Sequence, residues 1–150
     1  MGLDVGDRRI GLAVGDSESR VAVPIGVLDR TGSDVDWRAV LDEAESHGAE
    51  TLVVGMPLSM NGRKGPQAES VDAFVTRLRS HTSMPIVTID ERLTTVEAGR
   101  LMREGRGQQG RGQQGRGPQG RAKGKRAPKG AIDAAAAAVI LQAWLDAQRG

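Results

Sequence analysis

The sequence predicts an α/β domain built on one mixed sheet, and three observations carry that expectation. Three apolar runs follow one another in the N-terminal quarter with only short polar turns between them, a spacing that an antiparallel meander satisfies. Two later apolar runs are each entered from an amphipathic helix, and right-handed crossovers of that kind lay strands parallel in the same sheet. An alanine-rich helix closes the chain.

Taken in order, Leu3 to Val5 and Ile10 to Val14 flank Gly6-Asp7-Arg8-Arg9, which suits two strands and a tight turn. Val21 to Leu28, after the polar turn Asp16 to Arg20, makes the third strand. Trp37, Val40, Leu41 and Ala44 recur at i, i+3, i+4 and i+7 and mark a helix ending near Gly48. Thr51 to Val54 reads as a short buried strand. The loop from Gly55 to Gly62 follows it, with Asn61-Gly62 as a turn, and is placed to lip a site. Pro66 opens a helix whose apolar face is Val71, Phe74, Val75 and Leu78, and Pro85 to Ile89 is the last strand. Thr94-Thr95-Val96-Glu97 is a capping box, predicting a helix from about Thr95 and leaving Glu91 between strand end and helix start. The closing helix runs from Ala131 to about Ala147, with Ile132, Val139, Ile140 and Trp144 among its larger apolar side chains. Its alanines at Ala134 to Ala138 let backbone approach the sheet closely.

The 150 residues and 15.8 kDa make one domain. Aromatic residues are 2% of the chain, so the core is aliphatic. Cysteine is absent, which excludes disulfide frameworks, thiolate zinc sites and cysteine nucleophiles. The two histidines, His47 and His81, both fall near predicted helix C-termini, where the helix dipole favours them, and Ser/His/Asp triads are hard to assemble from so few. Any catalysis falls to carboxylates. No stretch approaches the roughly 20 apolar residues of a membrane span, and no signal segment precedes the first strand, so a cytoplasmic protein without membrane partners is expected.

The formal charge of +2 conceals an asymmetry. Between Arg103 and Lys129 lie nine Arg or Lys residues against Glu104 alone, while the rest of the chain is net acidic. This basic stretch is low in complexity, reading GRGQQ, GRGQQ, GRGPQ, GR from Gly105 to Arg121. Its Gly and Gln cannot build a core, so a flexible insertion at about 104–130 within a single domain is expected. Concentrated positive charge of this kind suits a polyanion, nucleic acid above all.

Asp4 is the most informative residue, because a carboxylate inside a short apolar strand is costly to bury without compensation. Turn amides beside Gly6 would satisfy it, and so would partners. Glu91 alone reads equally as a solvated loop carboxylate, and Asp133 alone as an acid favoured by a helix N-terminus. Together, however, the three can converge on the carboxyl end of the first strand. Three such carboxylates repel one another, and protonation or a divalent cation relieves the repulsion. All-oxygen ligands favour Mg²⁺ or Mn²⁺ over zinc, and such ions can activate a water against a phosphodiester. Arg8 and Arg9 are candidates for phosphate contacts or are simply solvated. Arg92 either orients Glu91 or binds phosphate.

Four segments carry a resemblance. Gly2-Leu3-Asp4-Val5-Gly6-Asp7-Arg8-Arg9-Ile10-Gly11-Leu12-Ala13, Val54-Gly55-Met56-Pro57-Leu58-Ser59-Met60-Asn61-Gly62, Asp90-Glu91-Arg92-Leu93-Thr94-Thr95 and Ile132-Asp133-Ala134-Ala135-Ala136-Ala137 resemble, in order, the signature segments of the YqgF, or RuvX, family. Members are known as Holliday junction resolvase-like proteins and are usually described as pre-16S rRNA nucleases. The resemblance implies an RNase H-like fold, a five-stranded mixed sheet flanked by helices, and puts Asp4, Glu91 and Asp133 on the family's acidic, metal-binding and catalytic positions. It implies a metal-dependent nuclease acting on structured RNA, with DNA junctions as a second substrate class, as a monomer or weak homodimer. Two departures stand out. Met1 lies almost on top of Asp4, so the first strand is clipped or the natural start is upstream. The Gly/Gln/Arg repeat exceeds the family's basic loop, and its Arg106, Arg111 and Arg116 are candidate phosphate contacts, with Lys129 standing where a basic residue often precedes the Asp-bearing helix.

Two other classes compete. The D-x-G of the first strand also resembles the phosphate loop of actin-like ATPases and sugar kinases, but those close two such domains on a nucleotide and this chain has no second copy. A non-catalytic nucleic-acid-binding or ribosome-associated module would keep the basic segment and make the acidic cluster idle.

Overall fold

The computed structural model describes residues 1–32, 35–92 and 130–148. Its strands are β1 (Gly2–Val5), β2 (Arg9–Val14), β3 (Val23–Asp29), β4 (Leu52–Met56) and β5 (Ile86–Asp90); its helices are α1 (Val35–Ser46), α2 (Pro66–His81) and α3 (Ala131–Ala147). They form one five-stranded sheet in the order β3-β2-β1-β4-β5. β1, β2 and β3 pair antiparallel, whereas β1–β4 and β4–β5 pair parallel. The expected meander with two parallel strands is therefore the sheet observed.

The period-2 alternation of the strands sorts residues onto two faces. Leu3, Val5, Ile10, Leu12, Leu52, Val54, Met56 and Ile86 join the larger core with Val40 and Ala44 of α1 and Val71, Phe74, Val75 and Leu78 of α2. All four predicted face residues of α2 are thus buried, each contributing about 1.5–3 kcal/mol of hydrophobic stabilisation. On the other face Ala13 and Val53 pack against Ala137, Ile140, Leu141 and Leu145 of α3. Ile132 of the same helix is 70% exposed and takes no part in this core.

Most strand boundaries shift by a residue or two, β4 running on through Gly55 and Met56 of the expected loop, and two of the differences have a clear local reason. β3 begins at Val23 rather than Val21, because the segment before it is tied to α3: Ala22 N donates to Gln142 Oε1 (3.0 Å), and Gln142 Nε2 donates to the Arg20 carbonyl (2.9 Å). The chain is already helical at Glu91, not at about Thr95. Asp90 explains this, since its Oδ1 accepts the Arg92 N–H at 2.9 Å, as an N-cap side chain does. The capping box at Thr94 to Glu97 and the basic insertion at about 104–130 lie outside the described residues.

The β1–β2 turn is held from beneath. Arg30 Nη1 donates to the Gly6 carbonyl (2.9 Å) while its Nε reaches Asp36 Oδ2 (3.3 Å), and Asp36 Oδ1 accepts both Thr31 N and Thr31 Oγ1. Burial pushes the Asp36 carboxyl up, but these donors outweigh it and hold the group below the usual carboxylate range. Among the described residues, no helix is long and apolar enough to cross a membrane.

Candidate active site

Each of the three predicted carboxylates stands where a different element ends. Asp4 is the third residue of β1 and alternates with the core residues Leu3 and Val5, so it shares the α3 face with Gly2. Its cross-strand partner on β2 is Gly11. A Cβ at Gly11 would collide with the backbone carbonyl of Asp133, so the missing side chain is what lets the first turn of α3 settle onto β2 opposite Asp4. Glu91 follows the last residue of β5. A Cβ at Gly55 on neighbouring β4 would stand 2.6 Å from Glu91 Oε1 and 2.5 Å from Ile140 Cδ1. Two glycines, one under each flank of the site, thus supply the space that the acidic side chains and α3 occupy.

Electrostatics report the same convergence. Burial, then the charge of Asp133, raises the Asp4 carboxyl to about 6. Burial, followed by Asp4 and Asp90, raises Glu91 to about 7. Each is therefore costly to ionise where it sits, and the charge of Asp4 adds to that cost at Glu91. Asp133 answers to a further residue, because Arg9 Nε lies 3.2 Å from its Oδ2. Arg9, the first residue of β2, therefore neutralises the third carboxylate. Among the described residues no three acidic or histidine side chains stand close enough together to hold a metal ion. The donor set of Asp4, Glu91 and Asp133 fits Mg²⁺ or Mn²⁺ in kind, all oxygen and in mutual repulsion. Arg9 already engages one oxygen of Asp133, so it and an ion would draw on the same carboxylate.

The remaining candidates separate. Arg8 is exposed in the β1–β2 turn. Arg92 binds Asp90 through Nε, at 3.1 and 2.9 Å to its two oxygens, and through Nη2 at 2.5 Å. The expected alternatives for Arg92, Glu91 or a phosphate, omitted this partner, whose hydrogen bonds to Arg92 hold Asp90 below the usual carboxylate range. Asp90 is thus the residue that sequence reasoning missed; its place one residue before a catalytic candidate and two before an arginine was the available signal. His47 and His81 keep to the helix ends: their Nδ1 atoms lie 2.9 and 2.8 Å from the carbonyls of Glu43 and Arg77. Arg106, Arg111, Arg116 and Lys129 lie outside the described residues.

A sheet of this order with helices on both faces and carboxylates gathered at one end defines the RNase H-like class. The fold matches that of Thermus thermophilus RuvC solved with a Holliday junction substrate, at a TM-score of 0.59 and 17% identity, covering 99% of this chain and 94% of that one. The chain belongs to the RuvX family, whose model, described as Holliday junction resolvase, matches residues 1–147. It is 34% identical over 149 residues to a "Putative pre-16S rRNA nuclease" of Desulforudis audaxviator, covering 99% of this chain and 94% of that protein. It is 39% identical over 149 residues to the protein of the same name from Caldanaerobacter subterraneus, covering 99% and 96%.

Proposed function

We propose that this chain is a divalent-metal-dependent nuclease of the cytoplasm that matures the 5′ end of pre-16S rRNA. The observation that carries the reading is the gathering of Asp4, Glu91 and Asp133 at one sheet end: Asp133 sits against Gly11, the strand partner of Asp4, and Asp4 and Glu91 are raised to about 6 and 7. The names of the RuvX relatives supply the substrate. Asp4, Glu91 and Asp133 would hold Mg²⁺ or Mn²⁺, which when bound supplies Lewis-acid activation of water and charge stabilisation at phosphorus. The chain's own residues hold three carboxylates at one sheet end, restrict water around Asp4 and Glu91, and offer Arg8, Arg9 and Arg92 at the rim. Arg106, Arg111, Arg116 and Lys129 add phosphate contacts from the basic segment.

A DNA-junction substrate is the second reading, favoured by the family description and the junction-bound fold relative. Precursor rRNA and four-way DNA junctions, incubated in parallel with Mg²⁺, Mn²⁺ or chelator, separate the two. Metal-dependent cut products from the RNA alone are expected. Products from the junction alone would reverse the assignment, and binding without products from either would leave a non-catalytic module. Sedimentation of the complexes would test the expected monomer or weak homodimer.

A further inference from the structure

The loop between β4 and α2 carries a feature that the acidic site does not use. Met60 is 94% exposed, more than any other large apolar side chain among the described residues. A lone exposed apolar residue ordinarily needs no account. Met60 differs in how its backbone is held. Leu58 packs against the main core, with its N–H on the Met56 carbonyl at 2.9 Å. Beyond it the loop closes on itself: Ser59 N donates to the Arg63 carbonyl (3.0 Å), Gly62 N to the Ser59 carbonyl (2.8 Å) and Arg63 N to Asn61 Oδ1 (3.1 Å). Gly62, at φ +80°, makes the turn that an L side chain would resist. Finally Arg92 Nη1 reaches the Met60 carbonyl at 3.5 Å while the same guanidinium grips Asp90. The apex is therefore closed from within and latched to the residue that follows Glu91. An apolar side chain is presented to water at the edge of the acidic site.

The surroundings narrow the partner. Ser59, Asn61, Gly62 and Arg63, all exposed, flank Met60, so among the described residues its immediate chain neighbours do not extend it into an apolar patch of the kind a protein surface covers. One unbranched apolar side chain with polar neighbours and an exposed cation three residues on matches a different target. That target is the gap between two stacked bases, which admits one side chain and has phosphates at its margin. Resting on the nuclease reading for its substrate class, we propose that Met60 is a wedge: it enters the base stack of the nucleic acid where a duplex is interrupted, and so sets which phosphate meets the carboxylates. Met60 is a positioning residue in this scheme, since it touches no reacting atom. The preformed loop means that little backbone ordering opposes insertion.

The experiment uses the full chain and an RNA hairpin with a single-stranded flank, carrying 2-aminopurine at the boundary. Fluorescence on binding is followed in the Asp4→Asn background, which holds the RNA uncut, alone and combined with Met60→Ala or Met60→Leu. A rise in fluorescence with Asp4→Asn alone is expected, kept by Met60→Leu and lost with Met60→Ala. With Asp4 intact, Met60→Ala should blur the cleavage position on the hairpin and raise KM about tenfold. Its kcat on unstructured RNA should stay within about twofold of the wild type. An undiminished rise with Met60→Ala overturns the wedge, as does a loss shared equally by Met60→Leu. Fluorescence behaving as expected, with no cleavage by the wild-type chain under any metal, would remove the nuclease reading and leave the wedge standing. No binding by any variant overturns both.

Discussion

Arg9 and Asp133 hold each other at 3.2 Å, from the first residue of β2 to the first turn of α3, each side chain about one-third exposed. The guanidinium thus competes for the same carboxylate that would help to hold a metal ion. Arg9→Gln should tighten Mn²⁺ binding to the RNA-free protein severalfold by calorimetry, while lowering stability by less than about 1 kcal/mol because the pair is partly solvated. Unchanged or weaker Mn²⁺ binding would show that Arg9 does not compete.

The carboxylates themselves make an opposite prediction for stability. Asp4→Asn, Glu91→Gln and Asp133→Asn should each abolish cleavage with the fold intact. In the metal-free protein at pH 8, the first two should raise the melting temperature by removing charges held in poor solvation. A melting temperature that falls for either would make that carboxylate a structural group.

Their pH dependence follows by linkage. Both groups have folded-state values above the unfolded ones, so folding takes up protons. Their contribution is fully present below the ordinary carboxylate range and is lost as pH rises through about 6 and 7. The chelated wild-type protein should therefore lose stability between pH 5 and roughly pH 8. Urea melts should show a shallower loss for Asp4→Asn than for the wild type.

Gly11→Ala tests the packing beneath the site. Its Cβ would run into the Asp133 carbonyl, and backbone cannot swing away as a flexible side chain would. A destabilisation of about 1–3 kcal/mol is expected, with loss of cleavage as α3 lifts from β2. Full activity with wild-type stability would mean that the close approach is not needed.

Replacing Arg106, Arg111 and Arg116 together with Gln should weaken RNA binding about equally for unrelated sequences. The salt dependence should flatten by up to about three counterions' worth of slope. Wild-type affinity and slope would make the repeat a neutral insertion.

Most strands and helices were legible because their cause is local. Val71, Phe74, Val75 and Leu78 lie on one face of α2 by helical period alone, and the short turns around Gly6 and Asp16 left the first three strands little choice but a meander. Asp4, Glu91 and Asp133 were also visible, the first by its cost inside an apolar strand, and all three by the resemblance of four ordered segments. What joined them was not. Strand order is a matter of contacts far apart in sequence, and only the packed sheet sets Gly11 across from Asp4 and Gly55 beside Glu91. The same holds for charge pairing: Arg9 was one arginine in a turn until α3 brought Asp133 to it, and Arg92 chose Asp90 once the helix began one residue after β5. Residue types and their periodicity determine which groups a chain owns and which element bears each one. Which group neutralises which depends on distances of a few ångströms, and those exist only once the two faces of the sheet are covered.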